Sequence, residues 1–113
     1  IQTDISNSSV LRPDRGYDNI GNNAMLAADP ATGEIRRFLV GPRGCEITGV
    51  ITTPDRRTMF VNVQHPGEST AAIGAPTPEN PRLVSNWPDF DPDGRPRSAT
   101  VAISKLDGGV IGT

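Results

Sequence analysis

Three short stretches hold the residue types that could do chemistry. Cys45 and Glu46 stand side by side, His65 closes an apolar run, and Asp89-Phe90-Asp91-Pro92-Asp93-Gly94 packs carboxylates closely together. A thiol beside a carboxylate invites a metal-ligand reading. Cys45 is the only cysteine, however, which excludes an internal disulfide and any multi-cysteine zinc site. His65, the only histidine, could donate a proton near neutral pH. The plainer reading has it fixing the Pro66-Gly67 turn by hydrogen bonds. The acidic run imitates the start of an EF-hand loop. That loop needs a bidentate glutamate at its twelfth position, held here by Thr100, and a flanking helix on each side. Neither is visible, and Arg95 and Arg97 would repel a cation, so calcium is not expected there.

The elements that must position these residues read as strands. No stretch of three turns shows the apolar spacing of an amphipathic helix. In Arg57 to His65, Met59, Val61 and Val63 share one face while Asn62 and Gln64 lie on the other, because side chains alternate across a strand. Ser98 to Lys105 repeats the pattern with Ala99, Val101 and Ile103. Cys45 to Thr52 is rich in β-branched residues, as strands are. Ala24 to Asp29 and Glu34 to Val40 complete the set. Asp29-Pro30-Ala31-Thr32-Gly33 and Thr53-Pro54-Asp55-Arg56-Arg57 carry turn chemistry between neighbouring strands. Leu106-Asp107-Gly108-Gly109 precedes a last short run, Val110-Ile111. A long proline-punctuated stretch separates His65 from Ser98, and loops of that length are usually functional or disordered. Residues 1–23 are equally loop-like, apart from Ile1-Gln2-Thr3. The fold expected is an all-β antiparallel meander with two long excursions.

Composition bounds how well such a meander can stand alone. Leu, Ile, Val and Phe number 25 of 113 residues and aromatics make up only 4%, so the core should be thin. The net charge of −2 comes without a basic stripe or interleaved aromatics, so no nucleic-acid partner is expected. No apolar run approaches the length needed to span a bilayer. No secretory signal opens the chain, which starts on Ile1 rather than Met, as an excised piece would.

Several strings are more specific than this pattern. They are Gly21-Asn22-Asn23-Ala24-Met25-Leu26-Ala27-Ala28-Asp29-Pro30-Ala31-Thr32-Gly33-Glu34, Gly44-Cys45-Glu46-Ile47-Thr48-Gly49, and Thr58-Met59-Phe60-Val61-Asn62-Val63-Gln64-His65-Pro66-Gly67-Glu68. Asn86-Trp87-Pro88 and Arg97-Ser98-Ala99-Thr100-Val101-Ala102-Ile103 follow in order. Together they resemble the C-terminal region of PhoX-type bacterial alkaline phosphatases, over essentially the whole chain. The Phe-Val-Asn-Val-Gln-His-Pro-Gly string is the most specific part, and Ile1-Gln2-Thr3-Asp4 looks like the tail of a strand.

The resemblance implies a β-propeller with calcium and iron at the top of its channel, hydrolysing phosphate monoesters after export to the periplasm or medium. This chain would be a partial propeller of about one and a half blades with long loops. Residues 1–23 would lead in, 24–40 would supply the outer strands of one blade, and 45–113 most of the next. Two positions depart from the family: Ala24 stands where Gln is usual, and Arg56 where a turn glycine is usual. The family's Cys-Glu-Glu metal-binding segment is absent, so no metal is expected to bind this piece tightly.

On this template Glu46 would open the innermost strand of its blade, with a carboxylate of the kind calcium and oxidised iron prefer. It is the candidate metal ligand, in the longer parent only. His65, Asn23 and Asp4, with Asn22, are candidates for the substrate pocket. Cys45 would pack as a small hydrophobe, and Trp87 would cover a blade edge under the long loop. The expectation is a phosphatase segment inactive alone and self-associating through open strand edges. The rival is a non-catalytic all-β interaction or structural module.

Overall fold

The computed structural model describes all residues, 1–113. Five strands form in chain order: β1 (Ala24–Ala28), β2 (Ile35–Val40), β3 (Glu46–Thr52), β4 (Thr58–Gln64) and β5 (Ala99–Ser104). The only helical piece is a 3-10 turn at Pro13–Arg15, closed by Gly16 in the left-handed conformation. β1 and β2 make a two-stranded sheet, and β3-β4-β5 a three-stranded one. All pairings are antiparallel. The all-β meander is thus observed, in two sheets that close no barrel. Val110-Ile111 forms a turn rather than a strand, and the Ile111 amide donates to the Arg56 carbonyl at 3.0 Å.

Alternation holds on β4, where Val61 and Val63 are buried while Phe60, Asn62 and Gln64 are exposed. It breaks on β3. Gly49 sits in a bulge at φ 50°, a conformation glycine adopts without penalty. A Cβ there would stand 2.7 Å from Asn62 Nδ2. The extra residue re-aims the strand: Ile47 pairs with Val63, but Val50 rather than Gly49 pairs with Val61.

Met25, Cys45, Ile47, Val61 and Val63 form the core, with Leu39, Met59, Trp87, Val101 and Ile103 packed against it. Met25 brings β1 against the three-stranded sheet, and Trp87 brings the long loop over it. Only 14 of 113 residues are buried, the thin core that the composition implies. Main-chain hydrogen bonds outside the strands number 30 of 48, and they order the hairpin turns and the C-terminal turn as well as the two excursions. No helix of the chain is long and apolar enough to cross a membrane.

Candidate functional site

Glu46 opens β3 and Gln64 closes β4, directly opposite each other, so the two strand ends bring residues 44–46 and 64–68 together. His65, the next residue, takes φ 37°, a left-handed conformation that costs a non-glycine residue about 1–3 kcal/mol. Its amide donates to Ser98 Oγ at 2.9 Å, which anchors the turn to the start of β5. The imidazole then stands between two carboxylates. Nε2 lies 3.5 Å from Glu46 Oε2, and Nδ1 lies 3.3 Å from Glu68 Oε2 and 3.4 Å from the Gly44 carbonyl. His65 therefore does fix its own turn, and it touches Glu46 as well.

Gly44 makes this approach possible. At φ 70° it would, with a Cβ, meet the Glu68 backbone oxygen at 2.6 Å and nitrogen at 2.8 Å. Asn22 and Asn23, both buried, hold the segment from behind. Asn22 Oδ1 accepts from the Gly44 amide at 3.0 Å. The two side-chain amides donate to the Cys45 carbonyl at 3.2 and 2.9 Å. Asn23 Oδ1 also accepts from the Ile5 amide and from Thr3 Oγ1. Asn23 thus supports the backbone next to Glu46, its polar atoms engaged within the chain. Asp4 lies exposed between Thr3 and Ile5 with no hydrogen-bond or ion-pair partner, and no contact joins it to Glu46 or His65.

Cys45 is 1% exposed within the core, and burial pushes its thiol up to about 12. The sulfur packs among Met25, Ile47, Val61 and Val63 as a small apolar group. In the acidic run, Asp89 is held by Arg97 through two hydrogen bonds of 2.9 and 3.0 Å. Thr100 bonds Asn62 on β4 instead of reaching back to the run.

Whether these donors fit a cation follows from their placement. Glu46 offers a carboxylate oxygen, Oε1, with no partner in the chain, so it suits one coordination position. Glu46, His65 and Glu68 meet through the imidazole, yet no three His, Cys, Asp or Glu side chains are arranged to hold a metal ion together, so a complete site needs ligands from outside these residues. Sequence reasoning missed Glu68 and Asn7 as site residues. Asn7 Nδ2 donates to Glu68 Oε2 at 2.7 Å, a contact across 61 positions that no local pattern signals.

Against known proteins, a family model described as alkaline phosphatase PhoX matches residues 1–67. The chain belongs to the PhoX alkaline phosphatase family. The matched stretch includes Glu46 and His65 and stops one residue before Glu68. Among solved structures, the chain is similar to Pseudomonas fluorescens PhoX in complex with vanadate, a transition state analogue. The identity is 46% and the TM-score 0.75, over 98% of this chain and 16% of that one. It spans about a sixth of that relative's length. No curated protein matches it.

Proposed function

We propose that the chain is the C-terminal, blade-forming part of an exported, metal-dependent phosphomonoesterase. In it, Glu46 contributes one ligand to the metal centre and His65 lies beside the substrate. The observation that carries this reading is the Glu46–His65 contact at the joined ends of β3 and β4, inside the stretch matching the family. The vanadate held by the solved relative supports phosphoryl chemistry. When bound, calcium and iron would neutralise charge on the phosphoryl oxygens and position the nucleophile. This chain's part is narrower. Asn22, Asn23 and Gly44 fix the backbone that presents Glu46, and the 65–68 turn flanks it. Residues 24–40 would be outer strands of one propeller blade and 45–113 most of the next, after the 1–23 lead-in, with Asp4 at the channel.

The alone-standing chain should be inactive. Supplied with calcium and iron it should turn over no p-nitrophenyl phosphate; turnover abolished by Glu46→Ala would overturn that. In the full-length phosphatase, Glu46→Gln should remove bound calcium or iron and most activity while the fold survives. Unchanged metal content would take Glu46 off the ligand set. The rival reading, a non-catalytic β-module, is favoured only by the incomplete donor set and predicts no loss from Glu46→Gln.

Self-association of the separate chain is part of the proposal. Val50, Ile51, Ile35 and Phe38 are exposed, and β3 and β5 each keep an edge that pairs with no strand. Such edges recruit other chains. Sedimentation at micromolar concentration should show a dimer or larger species; a clean monomer contradicts it.

A further inference from the structure

We infer that Asn7, Glu68 and His65 form a positioning chain that holds the Glu46 carboxylate in its working orientation; this rests on the reading of Glu46 proposed above. The contacts run in one line. Asn7 Nδ2 donates to Glu68 Oε2 at 2.7 Å, Glu68 Oε2 faces His65 Nδ1 at 3.3 Å, and His65 Nε2 faces Glu46 Oε2 at 3.5 Å. Each member is itself fixed by something other than the next. The Asn7 carbonyl accepts from the Ala71 amide at 3.0 Å, which ties the lead-in to the loop after β4. Glu68 donates its amide to the His65 carbonyl at 3.3 Å and packs its backbone against Gly44. The His65 amide is spent on Ser98 Oγ.

The chemistry favours orientation. Only Oε2 of Glu46 is engaged by the imidazole, which leaves Oε1 without a partner in the chain. A ring between two carboxylates, carried on a left-handed residue, can rotate little without losing one of them. Residues that orient a ligating or reacting carboxylate typically change metal affinity or activity by about 10–100-fold when removed.

The test uses the full-length phosphatase carrying this segment, with kcat, KM and bound calcium and iron read on each variant. His65→Ala should lower kcat about 10-fold or more, raise KM less than about 3-fold, and reduce bound metal. His65→Gln, which keeps a polar group near the Nε2 position, should recover a large part of that loss. Glu68→Gln should give a smaller loss of the same kind; its side chain is exposed, so folding is not at risk. His65→Ala combined with Glu68→Gln should be no worse than His65→Ala alone, since members of one chain act together. Unchanged kcat and metal content in His65→Ala, with both lost in Glu46→Gln, overturns the inference and leaves the role of Glu46 standing. Additive losses in the double variant overturn it too. If Glu46→Gln itself changes nothing, the reading of Glu46 fails and the positioning chain falls with it.

Discussion

The two ends of the three-stranded sheet are built by different means. At one end the β3–β4 turn is closed by residues two to five apart. Asp55 Oδ1 accepts from Thr53 Oγ1 at 2.6 Å and from the Arg57 amide at 3.1 Å, and the Thr53 amide donates to the Thr58 carbonyl at 2.9 Å. At the other end the segments that carry Glu46 and His65 are held by partners far away in sequence: Asn22 and Asn23 on the Cys45 carbonyl, Ser98 on the His65 amide, and Asn7 on Glu68. The first end closes a hairpin and can be read locally. The second gathers a lead-in, two strand ends and a long loop, and it is where a left-handed histidine is tolerated. A left-handed residue does not by itself tell the ends apart, because Arg56 takes φ 57° in the hairpin turn; what differs is the sequence distance of the supports.

The sharpest way to break the contrast is to cut a long-range support. Asn23→Ala should lower stability by about 2 kcal/mol, because the Ile5 amide loses its side-chain partner and the buried Cys45 carbonyl keeps only Asn22. Urea unfolding measures it. A loss no larger than that of an exposed substitution would mean the asparagines do not support the Glu46 end.

A smaller effect of opposite sign belongs to the hairpin end. Arg56 sits at φ 57°, where glycine is favoured. Arg56→Gly should therefore raise stability, by up to about 1 kcal/mol, in the same unfolding experiment. A decrease would show that the left-handed arginine carries no strain.

The smallest expected effect separates the ends by pH. Hydrogen bonds from Thr53 and the Arg57 amide hold the Asp55 carboxyl below its ordinary value of 3.8, and the Ala31 amide does the same for Asp29 in the other hairpin. A carboxyl depressed on folding stabilises the fold above its unfolded value, and that contribution is lost as pH falls through the folded one. Acidification below about pH 3.8 should thus loosen both turns, and Asp55→Asn should flatten part of that slope. Unfolding midpoints between neutral pH and pH 3 provide the check, and an identical slope in the variant would count against it.

The same division explains what was legible in the sequence. Strand positions on β4 and β5 followed from alternation, the β1–β2 hairpin from Asp29, Pro30 and Gly33 at turn spacing, and the β3–β4 hairpin from Pro54 and Asp55. The Gly49 bulge did not, since a glycine within a β-branched run gives no sign of which neighbour re-aims inward. Nor did the tie between Asn7 and Glu68. Glu46 and His65 were each singled out, yet their contact was not, because it depends on β3–β4 register and on the left-handed turn at His65. The asparagines drew attention as polar residues near a channel, and the structure gives both buried amides backbone partners. Such roles depend on which carbonyls folding leaves bare.

The most direct test is a crystal structure of the full-length protein that carries this segment, with vanadate bound. Glu46 and Thr52 lie at opposite ends of β3, six residues or about 20 Å apart along an extended strand. The account predicts vanadate and its metals at the Glu46 end, with Glu46 Oε1 in contact with a cation and His65 still against Oε2. Vanadate bound nearer the Thr53–Arg57 turn, or Glu46 facing solvent with His65 turned away, would contradict it.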